Sequence, residues 1–357
     1  MVSVIGWDIG GANTKAAFIR TENANITELR TAMRYFPVWR HPENLGSVLN
    51  ELKEEVCASE DVDCVGVTMT AELSDAYRTK REGVHHVLAQ VAQAFPTIQV
   101  LVLNVDARLR SLAEALKDPL RVAAANWAAT GWLVSQLFHN CIVVDAGSTT
   151  TSIIPVVEGT VSVAGKTDLE KLVNGELVYT GSLRTNVAAI VNAVPTRVGL
   201  ARVSSELFAQ SGDVHLVLGN ISAEDYTVET ADGKGKTRSE ALARLARIIC
   251  ADTEMLSEEE IVQIARHIYR RQVEQVTEGL RQVYGRVQSL TQQRMSVVVT
   301  GLGRNFLARK AAKQAGFDET IDLGELFRSD VAKVSTAVGV ALMAASKLEG
   351  RIVRWTR

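Results

Sequence analysis

The chain has 357 residues, 46% apolar and 22% charged, with a net charge of −2. This is ordinary globular composition on a chain too long for one core of common size, so two domains are expected. The near-neutral charge argues against a nucleic-acid protein held by a broad basic surface. No apolar run reaches the ~18 residues of a membrane span, and the first eight residues have neither a basic stretch nor a cleavage site, so a cytoplasmic protein without membrane contact is expected.

The chain opens with an apolar run over residues 2–9, then Gly10-Gly11-Ala12-Asn13-Thr14-Lys15, then a second apolar run over 16–19. Two strands around a Gly/Asn turn read as a β-hairpin. Residues 62–69 and 98–105 read as further strands, rich in Val, with a helical spacing over 84–95 between them. The Ala-rich stretch 121–138 predicts a buried helix, softened at Gly131. None of Cys57, Cys64, Cys141 and Cys250 forms a Cys-x-x-Cys pair, so they read as thiols in a reducing compartment.

At residue 141 the opening pattern returns. Residues 141–145 form a strand ending in Asp145, Ala146-Gly147-Ser148-Thr149-Thr150 form a small-residue turn, and 151–157 form the return strand. Residues 158–245 read as an insertion on the second domain, with a mobile surface loop over 225–239. Residues 257–292 read as a helix capped by Ser257, with Glu258, Glu259 and Glu260 against the helix dipole. Residues 297–300 form a buried strand running into Gly301-Leu302-Gly303, followed by a helix over 306–316 and a small-residue helix over 335–347. The expected domains are 1–138 and 139–357.

The repeated strand-Asp-x-Gly turn carries the chemistry. Glycines let backbone N–H groups approach phosphate oxygens; Asn13, Thr14, Ser148, Thr149 and Thr150 add side-chain hydrogen bonds, and Lys15 adds a cation. Asp8 and Asp145 would repel phosphate but can hold Mg²⁺, which neutralises it. One such turn alone is more often a plain hairpin; two copies at corresponding places favour phosphate binding. Two facing turns would clamp a di- or triphosphate, with Gly10, Gly11, Ala12 and Gly147 as the backbone contacts, while Gly301 and Gly303, between a buried strand and a helix, would let the backbone pack against a flat or phosphorylated group.

Residues 8–15 resemble the first phosphate motif of the actin/sugar-kinase/Hsp70 superfamily, 144–150 the second, and Val299-Thr300-Gly301-Leu302-Gly303 the adenosine motif. The resemblance implies an α/β fold of two ribonuclease-H-like domains with a cleft between them, 121–138 and 335–347 being the connecting helices. Thr70-Ala71-Glu72-Leu73 and the segment 175–185 are similar to the hydantoinase A/oxoprolinase group. Gly10-Gly11-Ala12-Asn13-Thr14-Lys15 resembles the branch of that group tied to tetrahydromethanopterin-linked one-carbon metabolism. Such a resemblance implies a transferase in furan-type cofactor biosynthesis, joining an aminomethylfuran diphosphate to the phenol of glutamyltyramine and releasing pyrophosphate. The wider superfamily implies an ATP-dependent kinase or oxoprolinase-like amidohydrolase instead.

On the transferase reading a base must take the phenolic proton. Glu72 and Asp106 both follow strands of the first half and are the candidates, each with a plain loop carboxylate as the alternative. Tyr179, Thr180, Gly181 and Arg184 are assigned to the acceptor side; a core role for Tyr179 and a solvent-facing Arg184 stay open.

Overall fold

The computed structural model describes residues 1–58, 60–291 and 293–355. In chain order its strands and helices begin β1 Val2–Ile9, β2 Asn13–Glu22, β3 Asn25–Tyr35, α1 Leu45–Cys57, β4 Cys64–Met69, α2 Lys80–Ala94, β5 Gln99–Leu103, β6 Leu109–Ser111, α3 Leu112–Lys117 and α4 Asn126–Ser135. The middle of the chain forms β7 Cys141–Ala146, β8 Thr151–Val157, β9 Thr160–Val161, α5 Asp168–Val173, β10 Leu177–Val178, β11 Ala193–Thr196, β12 Gly199–Arg202, α6 Ser211–Val217, α7 Arg238–Arg247 and α8 Glu258–Val287. Then follow β13 Ser296–Thr300, α9 Arg309–Gln314, β14 Thr320–Asp322, α10 Leu323–Leu326, α11 Ser329–Lys333 and α12 Ser335–Glu349.

Two compact units emerge: Met1–Cys141 with Ile154–Lys171 and Leu323–Arg357, and Ile142–Ile153 with Leu172–Asp322. The single break expected at 138/139 therefore misses two returns of the chain to the first unit. The later return has a clear physical cause in the packing of α12.

The first unit is built on a sheet in the order β3-β2-β1-β4-β5-β6. β1, β2 and β3 are antiparallel, while β4 runs parallel to β1 and β5 parallel to β4. This is the ribonuclease-H-like order. Alternation along β1 sends Ile5, Trp7 and Ile9 to one face, where they join Leu45, Leu49 and Leu52 of α1 and Val84, Val87 and Leu88 of α2 in one core. The other face of β1 carries Gly6 and Asp8. Gly6 stands opposite Gly66 of β4, and α12 lies on this pair. A Cβ at Gly6 would come within 2.2 Å of the Ala337 carbonyl oxygen, and one at Gly66 within 2.9 Å of that of Val340. Gly339 of α12 gives α4 the same close approach, 2.5 Å from a Cβ to the Ala129 carbonyl oxygen. The small residues of α12 thus serve packing, as the sequence suggests.

Helix α4 is shorter than the expected 121–138. Ala124 takes a left-handed conformation at φ 49° just before it, which a continuous helix does not admit. Gly131 lies inside the helix and leaves it unbroken; its missing Cβ makes room for Ile154 and Val161.

The second sheet repeats the strand order as β10-β8-β7-β13-β14, with β9 also on β8. Ser257 and Glu260 form a reciprocal capping box at the start of α8, as expected for a helix beginning there; Gln292, where that helix was expected to end, lies outside the described residues. Ile261, Ile264 and Ile268 of α8 share a core with Val214 and Val217 of α6 and Leu245 of α7. The stretch 225–239 is no loose loop. Tyr226 and Val228 are buried, the Tyr226 ring fills the space that a Cβ on Gly212 would need, and buried Arg244 ties Asp232 to Asp213 at 3.1 and 2.8 Å.

Candidate functional site

The two expected turns are closed by the same hydrogen bond. In the first, the Gly10 amide donates to the Asn13 carbonyl at 3.0 Å; in the second, the Gly147 amide donates to the Thr150 carbonyl at 2.9 Å. Each pair lies at the same offset from its strand-end aspartate, Asp8 or Asp145. Two carbonyls of each turn are held by a neighbouring segment, one position earlier in the second turn than in the first. Gly11 and Ala12 accept from Val38 and Phe36, both at 2.9 Å, while Gly147 and Ser148 accept from Ser182 and Leu183, both at 2.9 Å. A planar trans peptide points its carbonyl and the following N–H in opposite directions. Fixing those carbonyls therefore turns the amides of Ala12, Asn13, Ser148 and Thr149 to the other side, the orientation an anion-binding turn requires. A Cβ on Gly10 would meet the Asn13 carbonyl oxygen at 2.6 Å, whereas one on Gly11 would meet nothing within 4 Å; Gly10 is needed to close the turn, and Gly11 stands open.

Asp8 is buried at 2% exposure. Its Oδ2 accepts from Lys15 Nζ at 3.1 Å and from Thr336 Oγ1 at 2.6 Å. Lys15 is its cross-strand partner on β2, and Thr336 comes from the first turn of α12. Its Oδ1 is buried and has no hydrogen-bond partner. Thr68 stands beside Asp8 in register on β4, and its buried hydroxyl also lacks a partner. Orphaned oxygens of this kind fit a bound cation or water. Among the described residues no three His, Cys, Asp or Glu side chains gather as a metal cage. Mg²⁺ does not demand one, because it commonly takes one or two carboxylates and completes its shell with phosphate oxygens and water. Thr14, next to Lys15 on β2, is fully buried.

In the second unit the turn rests on a scaffold that sequence reasoning assigned elsewhere. Gly181 lies so close to the turn that a Cβ would stand 2.5 Å from the Thr149 carbonyl carbon. Arg184 Nη1 reaches Thr149 Oγ1 at 3.4 Å. Thr180 is buried, while Tyr179 is 58% exposed. Gly301, at φ 85°, and Gly303 both pack on the backbone behind Asp145: a Cβ on Gly301 would stand 2.4 Å from the Ala146 carbonyl oxygen, and the Gly303 amide donates to that same oxygen at 2.8 Å. Arg304 is drawn to Asp322 at 3.1 Å and to the Gly301 carbonyl at 3.3 Å.

Behind this scaffold lies a buried relay. Gln272, from the middle of α8, donates to Thr180 Oγ1 at 2.9 Å and to the Gly181 carbonyl at 2.8 Å. Its amide hydrogens are thereby used, so its oxygen faces His215 Nε2 at 3.0 Å and the imidazole must donate there. His215 Nδ1 then accepts from Asn220 Nδ2 at 3.1 Å. Burial pushes the His215 pKa down to about 4, so the ring is neutral at pH 7. A Gln inside a long amphipathic helix gives no sequence signal, and Gln272 was missed.

The two base candidates differ sharply. Asp106 is ion-paired with Arg121 and lies 3.6 Å from Lys166. Glu72 follows β4 in a single 3-10 turn, Ala71–Leu73, with its side chain fully buried. Neither carboxylate oxygen has a hydrogen bond of good geometry, although its own amide and that of Ala124 approach it as weak donors that favour the charged form. Desolvation raises its pKa to about 7, against the opposing pull of Lys80. A pocket of about 470 Å³ lined by Arg108, Trp132, Met343 and Lys347 sits at the far end of α12 from Thr336 and involves none of these groups.

The hydantoinase/oxoprolinase family profile matches residues 63–347, most of the chain. The chain belongs to the hydantoinase/oxoprolinase family. Within reach of this family member is a relative from Methanocaldococcus jannaschii, 37% identical over 98% of this chain and 99% of its own length, named a (gamma-L-glutamylamino)ethyl-phenoxymethyl-furan-2-yl methanamine synthase. A protein of the same name from Methanococcus vannielii is 35% identical over 62% of this chain and 98% of its own length. Among solved structures, nucleotide-free acetone carboxylase superposes with a TM-score of 0.56 at 10% identity, over 96% of this chain and 70% of that one; this likeness concerns the fold.

Proposed function

We propose that this family member is a transferase that joins a furanylmethyl diphosphate to the phenol of a glutamyltyramine, releasing pyrophosphate. The observation that carries the reading is the full-length 37% identity to a synthase whose name contains both the furan and the glutamylaminoethyl-phenoxy parts. The repeated turn construction supports the diphosphate end of it.

In the reaction the phenolic oxygen forms a bond to the exocyclic furan carbon. The bond from that carbon to the diphosphate oxygen breaks, and pyrophosphate leaves with the electron pair. The furan ring delocalises positive charge at that carbon, so stabilising the departing diphosphate is the main task. Amides of Ala12, Asn13, Ser148 and Thr149 would bind its oxygens, and Lys15 would add positive charge. Asp8 and Asp145 would hold Mg²⁺, Asp8 through the oxygen that lacks a partner; the ion, when bound, offsets charge on the leaving group. Gly301 and Gly303 would act by holding the Asp145 turn.

The test incubates the protein with Mg²⁺ and either a furan diphosphate plus glutamyltyramine, or ATP plus a small amide or carboxylate. Pyrophosphate from the first mixture is expected. ADP from the second, with no pyrophosphate from the first, would replace this reading with an ATP-dependent one.

A further inference from the structure

Three carboxylates stand at the carboxyl ends of neighbouring strands in the first unit, and each has a different electrical situation. Asp8, after β1, is hydrogen-bonded by Lys15 and Thr336. Asp106, after β5, is neutralised by Arg121 and Lys166. Glu72, after β4, has both oxygens buried and without a hydrogen bond of good geometry. A carboxylate in that condition is costly to keep in a structural role, because the one nearby cation and the backbone amides around it offset its desolvation only in part.

The nearest cation to Glu72 is Lys80, in the first turn of α2, with Nζ 3.9 Å from Oε1. Lys80 is itself bound to Asp168 at the start of α5. Their side chains are 27% and 22% exposed, against 0% for Glu72. Lys80 and Asp168 are thus the solvent-facing members of this cluster and Glu72 its buried one. Lys80 is carried on a four-carbon stem that can swing without moving the backbone. Gly83 permits the arrangement: a Cβ there would come within 2.6 Å of the Glu72 backbone. The groups facing Glu72 are Lys80 from α2, Asp168 from α5, the Ala124 amide from the segment before α4, and Tyr77, whose own pKa is raised to about 12 by burial first and by the carboxylates of Glu82 and Glu72 next.

We infer that Glu72, and not Asp106, is the base that takes the phenolic proton, reached when the Lys80–Asp168 pair parts. The inference rests on the transferase reading. The proton moves from the phenol oxygen to a Glu72 carboxylate oxygen as the aryl oxygen bonds to the furanylmethyl carbon, and the electron pair departs with pyrophosphate. A base poised near neutral pH suits a phenol better than an ordinary carboxylate does, since transfer efficiency follows the match between the two pKa values. Lys80 tunes that match as a positioning residue: it lowers the Glu72 pKa, while Asp168 raises it.

The experiment compares wild type, Glu72→Gln, Lys80→Met and Asp106→Asn with a furan diphosphate and a set of ring-fluorinated tyramine acceptors of increasing phenol acidity. Glu72→Gln should lose ~10²–10⁴-fold in turnover with the plain phenol. That defect should shrink as the phenol becomes more acidic, and binding of Mg-pyrophosphate measured by calorimetry should be kept. The acid limb of kcat/KM near pH 7 should vanish in Glu72→Gln and move to higher pH in Lys80→Met, because removing the cation makes the carboxylate harder to ionise. A Glu72→Gln enzyme as active as wild type, a defect of equal size for every acceptor, or the acceptor-dependent loss appearing in Asp106→Asn would each overturn the assignment. Wild type that turns over no furan diphosphate would sink the transferase reading and this assignment with it; normal wild-type turnover beside an unimpaired Glu72→Gln sinks the assignment alone.

Discussion

Mild acid should loosen the second unit through one imidazole. His215 is fully buried and held in a single tautomer by Gln272 and Asn220. A second proton would sit on Nδ1, facing the amide hydrogens of Asn220. The folded-state pKa of about 4 lies below the ordinary imidazole value of 6.5. The unfolded chain therefore binds the proton more readily, and the stabilisation is complete above about pH 6.5 and lost as pH falls toward 4. Working the two pKa values through the linkage relation gives a loss of about 2 kcal/mol between pH 7 and pH 5, or about 20-fold in the opening equilibrium. His215→Gln cannot take up that proton. Amide exchange of the α6 and α8 core should be measured for both proteins at pH 7 and pH 5. The wild-type opening free energy should fall by about 2 kcal/mol more than that of the variant. Equal falls in the two proteins would refute the reasoning, since carboxylates elsewhere contribute alike to both.

Asp8→Asn and Asp145→Asn should each lower Mg²⁺-dependent turnover by at least ~10²-fold; full activity in both would remove the metal role. Thr336→Val takes away the 2.6 Å donor to Asp8 and should cost about 1–3 kcal/mol in urea unfolding. Gly6→Ala should destabilise by about 1–3 kcal/mol or more, because its Cβ would meet the Ala337 carbonyl oxygen at 2.2 Å. Gly11→Ala, with open space around it, should melt as wild type does.

Much of the fold can be read in the sequence because its signals are local. The strand-Asp-x-Gly turns announce themselves by apolar runs broken at glycine, and the Ser257 cap and the glycine and alanine content of α12 are equally plain. What escapes is whatever depends on partners far away in sequence. Strand β3 is half-exposed and mixed in character, so no clean alternation marks it. The length of α4 is set by the left-handed Ala124, which composition does not reveal. The site divides in the same way. Asp8, Asp145 and their turns are legible, but Thr336 reads as a packing residue and proves to be a donor to Asp8. Thr180 and Gly181 read as acceptor contacts, yet they are bound to Gln272 and pressed on the second turn. Glu72 and Asp106 look equivalent in sequence; burial and ion pairing separate them.

The seat of α12 on Gly6 and Gly66 bears on how the protein is made. Those glycines are synthesised early, and the helix that covers them begins about 270 residues after the later of the two, at Ser335. At a ribosomal rate of ~5–20 residues per second the uncovered face waits about 15–50 s. During that interval the nascent first unit presents an uncovered sheet face, open to misassembly with a neighbouring chain. Vectorial synthesis therefore cannot finish the N-terminal unit first: its last structural element arrives only after the whole of the other unit has left the ribosome.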